Sequence, residues 1–435
     1  MDTLKPVEVS EYYIQRIAKG MKQYFWDNIF AKIFDILDEK TITNSKNDLL
    51  NAIKQGTIWY ENGAFRTKTR FPNNVARELE KLGARFVRGN YVISLNNLSS
   101  EYLSAISYIN ARTEVLGGQI SNFLVGLDVL LSKVTLDQYI SASVDLAFKK
   151  LQLDIVKSAQ EKKVPVIELG IVKPKTNLPK QVIKDYDTYW KERDKKAMEL
   201  QKSLEKARKQ NKETSELKEK IKEFRKESYQ QAPQHDFTID EIQLDENSKK
   251  IAEDYTYNLK YWVKKWEAKN IVKMRQDVID MVQKGKRVPE IKEYFEKRWK
   301  IAGDKAKFLA VNESNLAGSV IKATNYQELG CNSFVWGRSS SKEKRKLHEE
   351  YYDKTFTFDN PPIIDEKLGI RGLPRQIWNC SCHLLVLPPT LTEIMNKTEE
   401  VRNAKRNIFT RLQYKIRNSK QCNNTAWRYR RLGEG

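Results

Sequence analysis

Cysteine is scarce in this chain of 435 residues, where it occurs only as Cys331, Cys380, Cys382 and Cys422. Secreted domains that depend on disulfides carry far more of it. No apolar leader follows Met1. We therefore expect a protein that is made in a reducing cytoplasm and is not held together by disulfides.

Long apolar runs are also missing. The most apolar stretch, Phe123 to Leu131, is interrupted by Asp128. It is far shorter than the roughly 20 residues that a membrane-spanning helix needs. The sequence therefore predicts no membrane span.

The familiar catalytic signatures do not occur in the sequence. It contains no glycine-rich phosphate loop, no Ser-His-Asp signature and no paired-carboxylate motif. This lack favours a structural role, and we expect the protein not to be an enzyme.

Positive charge, in contrast, is abundant and uneven. The formal net charge is +21, and residues 401–435 hold ten Lys or Arg against the single acidic Glu434. A basic excess of this size attracts polyanions such as DNA, or an acidic protein surface. The charge alone does not distinguish between these partners.

The basic tail mixes aromatic and positively charged side chains. Rings can stack on bases while the charges neutralise phosphates. An amphipathic helix that docks on a protein neighbour through Ile408, Phe409, Leu412 and Ile416 is an equally good interpretation. In both cases the candidate contact residues are Arg411, Lys415, Arg417, Arg428, Arg430 and Arg431.

Periodicity and polarity predict an α+β protein that is predominantly α-helical, because most apolar residues recur at steps of three and four. We expect N-terminal helices in 1–56, a small ββαββ insert in 57–98, a helical body in 99–180, a projecting charged helical hairpin arm in 181–232, a helical lead-in in 233–300, a C-terminal α+β module in 301–390 and a basic tail in 391–435.

Local signals support these segments. Asn62-Gly63 predicts a tight hairpin with positive φ angles at both positions, and Gly83 predicts the end of a short helix. Gly117-Gly118 predicts a helix interruption. The run Val164 to Val172 contains Pro165 and predicts an edge strand or an extended linker. In the charged arm, Gln210 to Thr214 separates two helices, and a solvated arm is favoured over intermolecular coiled-coil pairing.

A series of motifs marks the C-terminal module. Asn312-Glu313-Ser314 lies on a predicted helix, and a predicted strand carries Trp336. An Arg-x-x-His step follows at Arg345 and His348, and the series closes on Asn379-Cys380-Ser381-Cys382. This order, from roughly Lys249 to Leu387, resembles the Mu F-like family of phage head-morphogenesis proteins.

The resemblance implies both a function and a location. Such proteins are minor capsid proteins, present in few copies, that bind the portal vertex or the inner capsid face and act in head assembly and in DNA packaging or ejection. We therefore expect a virion protein made in the cytoplasm of a bacterial host. Its partners would be the portal protein, other capsid proteins and genomic DNA. The family motif residues here are Glu313, Trp336, Arg345, His348, Asn379, Cys380 and Cys382.

The chain also departs from the family pattern. Val311-Asn312 replaces an Arg-Thr pair before Glu313, and Ser381 replaces an arginine between the two cysteines. If the family's arginines contact a partner, the resemblance does not predict those contacts for this chain.

His348, Cys380, Cys382 and His383 are the residue types of a tetrahedral zinc site. The spacing argues against one, because Cys-x-Cys on an extended strand separates the sulfurs by about 7 Å and turns His383 to the opposite face. The alternatives are cysteines packed as small apolar groups, or a Cys-His nucleophile. We expect no cofactor, with zinc as the alternative.

Two further functions compete with the capsid assignment. The module also occurs fused to C-terminal effectors, so a toxin or enzyme that uses it as a delivery domain is the alternative. Only about 48 residues follow Leu387, too few for a catalytic domain. An effector would therefore have to lie in the N-terminal half. A cellular DNA-binding protein is a third alternative, which the motif order disfavours.

Overall fold

A computed structural model describes residues 3–38, 47–131, 135–172, 178–210, 212–339, 341 and 344–406. The described helices are α1 (Glu11–Phe25), α2 (Ala31–Leu37), α3 (Asp48–Lys54), α4 (Asn73–Lys81), α5 (Ser100–Leu131), α6 (Asp137–Glu161), α7 (Lys180–Lys209), α8 (Ser215–Gln230), α9 (Glu246–Gln283), α10 (Val288–Glu328), α11 (Lys346–Glu349) and α12 (Leu391–Arg406). A π-helical turn, Trp26–Phe30, connects α1 to α2.

The described strands are short and pair antiparallel: β1 (Ile58–Glu61), β2 (Ala64–Thr67), β3 (Arg85–Val87), β4 (Asn90–Val92), β5 (Ser333–Gly337), β6 (Thr355–Thr357), β7 (Ile363–Asp365), β8 (Ile370–Arg371) and β9 (His383–Val386). The protein is therefore predominantly helical with small antiparallel sheets, as the sequence predicts. Within the described part of the chain, no helix combines the length and apolarity that a membrane crossing requires.

The chain forms two compact units. The first comprises the described residues within 3–17, 140–259 and 308–406, and the second those within 18–139 and 260–307. Each unit is assembled from segments that are distant in the sequence. Sequence patterns report local structure, so they did not reveal that the start of the chain belongs with the C-terminal module.

The second unit contains the ββαββ stretch. Its four strands form one sheet in the order β1-β2-β4-β3. The β1–β2 hairpin turns at Asn62 and Gly63, with φ angles of 50° and 79°. The predicted tight hairpin is confirmed, since both residues adopt the left-handed conformation it requires. The sheet, α3, α4 and the start of α5 share a buried apolar core that includes Leu49, Ile53, Phe65, Leu79 and Tyr91.

Helix α5 runs without a break through Gly117 and Gly118, so the predicted interruption is wrong. A Cβ added at Gly117 would lie 2.4 Å from Cγ2 of Val282, whereas a Cβ at Gly118 would meet no atom within 4 Å. Gly117 therefore permits close packing of α5 against α9, and its role is packing rather than helix breaking.

In the first unit, α7 and α8 pack as a hairpin. Tyr189 donates a hydrogen bond from its hydroxyl to the carbonyl of Ser228 over 2.5 Å. The rings of Trp190 and Tyr229 lie 5.5 Å apart. These contacts join the start of α7 to the end of α8, so the two helices run antiparallel.

Residues 164–172 form neither an edge strand nor an extended linker, and both predictions were wrong. The segment folds as consecutive hydrogen-bonded turns, with Leu169 N–H donating to the Pro165 carbonyl and Ile171 N–H to the Val166 carbonyl. Its apolar side chains are buried, Val164 and Ile171 to 1% exposure each. Local turns satisfy the backbone of this apolar segment without a partner strand.

The C-terminal module of the first unit contains a three-stranded sheet in the order β6-β5-β9. Its central strand β5 aligns Phe334 with Phe356 on one side and Trp336 with Leu384 on the other. The start of the chain joins this module, because Leu4 N–H donates to the carbonyl of Val386 over 2.8 Å. This arrangement places Glu8 close to the cysteine-bearing loop.

Candidate metal centre

Trp336 lies at the centre of the candidate site. It occupies the middle strand β5, and its side chain is fully buried. Its ring forms an edge-to-face pair with the imidazole of His348, with 5.1 Å between the ring centroids. Tyr351 makes a similar edge contact at 5.4 Å. The tryptophan thus forms an aromatic wall that fixes the position of the histidine.

His348 lies on the short helix α11 and is 2% exposed. Its Nε2 atom lies 3.4 Å from the carbonyl oxygen of Ile364. Because a carbonyl can only accept, this contact assigns the proton to Nε2 and leaves the lone pair on Nδ1. The Nδ1 atom faces the two cysteines.

Cys380 and Cys382 follow a tight turn. Cys380 N–H donates to the carbonyl of Ile377 over 3.2 Å, and the preceding Asn379 has a φ of 57°. The backbone N–H of Asn379 donates to Oδ1 of Asn312 over 2.7 Å. Strand β9 begins only at His383, so the two cysteines do not lie on an extended strand.

The turn brings both sulfurs to the same imidazole nitrogen. Nδ1 of His348 lies 3.6 Å from Sγ of Cys380 and 3.7 Å from Sγ of Cys382. All three donor atoms lie within 4.8 Å of one another, and all three residues are buried. The expectation that this spacing would separate the sulfurs by about 7 Å was wrong, because it assumed an extended strand. We call these three residues the sulfur–imidazole cluster.

The two thiols influence each other strongly. A hydrogen bond from the Cys382 thiol lowers the pKa of Cys380 well below its usual range. The same bond, together with burial, raises the pKa of Cys382 above its usual range. The two sulfurs therefore titrate as a pair that favours one negative charge and one shared proton. Cys331 is different, since burial raises its pKa to about 12.

His383 does not join the cluster. Its Nδ1 lies 3.2 Å from Oε1 of Glu8, on the N-terminal segment. Of the four candidate zinc ligands, the structure therefore brings three together and places the fourth in an ion-pair network. His383 is the first residue of β9, and its side chain contacts Glu8 instead of the two cysteines.

Glu8 is the centre of that network. Lys322, only 2% exposed, contacts its carboxylate at 2.7 Å, and Arg375 does so at 3.5 Å. Burial alone would raise the pKa of Glu8, but the hydrogen bond with His383 and the charges of Lys322 and Arg375 lower it to about 2. Arg375 also donates from Nε to the carbonyl of Cys382 over 3.2 Å. The N-terminal segment is thereby linked directly to the cysteine loop.

The remaining motif residues support the same region. Arg345 donates to the carbonyl of Trp378 over 2.8 Å, immediately before the cysteine turn. Glu313 is 2% exposed, on α10. Sequence reasoning missed the role of Asn312, which it treated only as a departure from the family pattern. The tail residues Arg411, Lys415, Arg417, Arg428, Arg430 and Arg431 lie outside the described residues.

A nucleophilic cysteine must reach the reacting atom of a substrate. Cys380 is 6% exposed and Cys382 2%, and their histidine partner is equally buried. The geometry therefore favours a structural or metal-binding role for the cluster over nucleophilic catalysis.

Comparison of the chain with models of known protein families, with curated proteins and with solved structures finds no match.

Proposed function

We propose that this protein is a minor capsid protein of a tailed bacteriophage or prophage. It would bind the portal vertex or the inner face of the capsid and act in head assembly and in DNA packaging or ejection. Its role would be structural rather than enzymatic, and its location would be the virion.

One observation carries this proposal: the residues of the Mu F-like motif converge in space. Trp336, His348, Cys380 and Cys382 are separated along the chain but share one buried cluster. Arg345 binds the segment just before the cysteines. A chance match of common residues has no reason to assemble in this way, whereas a family motif that defines a folded module does.

The charge distribution supports the choice of partners. The basic excess of residues 401–435 suits either DNA or an acidic surface of the portal. The helical composition provides long surfaces for contacts with other capsid proteins. The tail would then be the part of the protein that faces the genome or the portal ring.

The direct test is a genetic one in the phage or prophage that encodes the chain. A stop codon early in the gene is compared with a synonymous change at the same position. We expect purified wild-type particles to contain the protein in far fewer copies than the major capsid protein. We also expect the stop codon to lower the yield of infectious particles. The proposal would be overturned if purified wild-type particles lacked the protein and the stop codon left the yield of infectious particles unchanged.

Co-expression with the portal protein of the same phage provides a second readout. We expect the chain to co-elute with the portal ring on size exclusion.

Expression of the full chain in the host tests the effector alternative. Rapid growth arrest would support a toxin and contradict a purely structural role.

A further inference from the structure

The sulfur–imidazole cluster has the dimensions of a tetrahedral metal site. Zinc forms bonds of about 2.3 Å to thiolate sulfur and about 2.05 Å to imidazole nitrogen, so the tetrahedral angle puts nitrogen about 3.6 Å from each sulfur. The distances from His348 Nδ1 to the two sulfurs are 3.6 and 3.7 Å. The two nitrogen–sulfur distances therefore match those of a tetrahedral zinc site, and the two sulfurs lie within 4.8 Å of each other.

We propose that Cys380, Cys382 and His348 bind one zinc ion, which holds the cysteine turn against α11 and β5. The three side chains provide three of the four positions of a tetrahedral site. Water or another ligand would complete the coordination. This binding would hold whether or not the protein is a capsid component, so the two proposals can fail separately.

The surroundings of His348 fit a metal ligand. A histidine that binds zinc through one nitrogen usually donates its other N–H to a carbonyl or carboxylate. Here Nε2 faces the carbonyl of Ile364, which directs the lone pair of Nδ1 toward the sulfurs. The Trp336 ring limits rotation of the imidazole. The site is thus oriented before a metal arrives.

The donor types favour zinc over other common ions. Two thiolates and one imidazole are poor ligands for magnesium and calcium, which prefer oxygen. Iron–sulfur clusters generally use four cysteines.

The carbonyl of Cys382 accepts a hydrogen bond from Arg375, and the N–H of Asn379 donates one to Asn312. The protein therefore fixes both ends of the Cys-x-Cys turn.

A structural ion suits the local architecture. The strands around the site contain two to five residues each. Short strands bury little apolar area, and small folds of this kind commonly use a metal for stability. The ion would connect segments that are more than 30 residues apart in the chain, since Cys380 and His348 are separated by 32 positions.

The test measures the metal content of the full chain, purified under reducing conditions and reconstituted with zinc. We expect one zinc per chain in the wild type. The control is the double variant Cys331→Ser with Cys422→Ser, which removes both cysteines outside the cluster and should retain the metal. Cys380→Ser, Cys382→Ser and His348→Asn should each lose most of it.

A wild-type measurement guards against variants that fail to fold. Replacement of zinc by cobalt should give thiolate-to-cobalt charge-transfer absorption that saturates at one equivalent. Zinc should also protect Cys380 and Cys382 from alkylation, as mapped by peptide mass. A folded wild type that binds neither metal would overturn the proposal.

Discussion

Asn312 and Asn379 are joined across the module by a hydrogen bond of 2.7 Å, in which the backbone N–H of Asn379 donates to the side-chain oxygen of Asn312. Asn379 is in the left-handed region, with a φ of 57°, a conformation that costs energy for any residue with a Cβ. The bond stabilises this turn and thereby sets where Cys380 and Cys382 point. Asn312 thus helps to hold the cysteine turn in place.

Asn312→Ala should loosen the cysteine turn. The substitution removes the acceptor for the Asn379 N–H, which we expect to lower the free energy of unfolding by about 1–2 kcal/mol. Alkylation of Cys380 and Cys382 in the metal-free protein should become faster. The measurements are thermal unfolding and peptide-mapped alkylation rates.

Thr324→Ala is the matched control on the same helix. The Thr324 hydroxyl donates to the carbonyl of Val320, one turn earlier, and alanine has the higher helix propensity. We expect stability and alkylation rates close to those of the wild type. Equal effects of the two variants would argue against a specific role for Asn312.

Glu8→Gln should reduce the change in the free energy of unfolding between pH 7 and pH 2. Because the pKa of Glu8 is lowered from 4.5 to about 2 in the folded protein, its ionisation stabilises the fold above pH 4.5. That contribution is lost as the pH falls toward 2. The size of the shift corresponds to about 3 kcal/mol at neutral pH. The destabilisation by Glu8→Gln should therefore be large at pH 7 and small near pH 2, as followed by denaturant unfolding.

Glu293→Gln provides a contrasting control. The hydrogen bonds from Lys68 and Lys297 also lower the pKa of Glu293 to about 2, but its side chain is 47% exposed. Water screens such surface pairs. We expect little change in stability at either pH. A loss as large as that of Glu8→Gln would mean that burial is not what distinguishes the two sites.

Gly117→Ala and Gly118→Ala should have opposite effects, although the two glycines are neighbours. A Cβ at residue 117 would clash with Val282, whereas one at residue 118 meets open space. We expect Gly117→Ala to destabilise the second unit. Gly118→Ala should stabilise it by up to about 1 kcal/mol through helix propensity. Thermal unfolding of both variants tests this, and effects of the same sign would contradict the packing role of Gly117.

Neutralising the tail should weaken the salt dependence of DNA binding. Each phosphate contact contributes about 0.9 to the slope of log affinity against log salt, so six lost contacts reduce the slope by up to about 5. The variant changes six residues to Gln: Arg411, Lys415, Arg417, Arg428, Arg430 and Arg431. Binding of duplex DNA is measured from low to physiological salt.

The control removes the same charge from the α7–α8 hairpin, where six exposed lysines are changed to Gln: Lys191, Lys195, Lys202, Lys206, Lys209 and Lys212. We expect its slope to match that of the wild type. Wild-type affinity that stays flat across the salt range would exclude phosphate contacts by the tail. Equal losses in both variants would indicate a general effect of net charge.

The parts of the fold that sequence predicted correctly depend on neighbouring residues. Asn62 and Gly63 favour their turn through their own backbone preferences, so the hairpin could be read directly. Gly117 was misread because its function depends on Val282, a residue far away in the chain. A glycine that breaks a helix and a glycine that permits close packing look the same in one sequence.

The candidate site was predictable in composition but not in geometry. His348, Cys380 and Cys382 could be chosen by residue type, because few side chains bind zinc. Their convergence depends on the left-handed Asn379 and its bond to Asn312, which no spacing rule contains. The partner of His383 could not be anticipated either, since Glu8 lies 375 positions away.

This last separation has a consequence for synthesis on the ribosome. His383 and Arg375 are added to the growing chain 375 and 367 positions after Glu8. At about 5–20 residues per second, translation of the intervening chain takes about 20–75 s. Throughout that interval, Glu8 on the N-terminal segment lacks its partners His383 and Arg375. The ion pairs of Glu8 with Arg375 and His383 therefore form only after the cysteine-bearing loop has been synthesised.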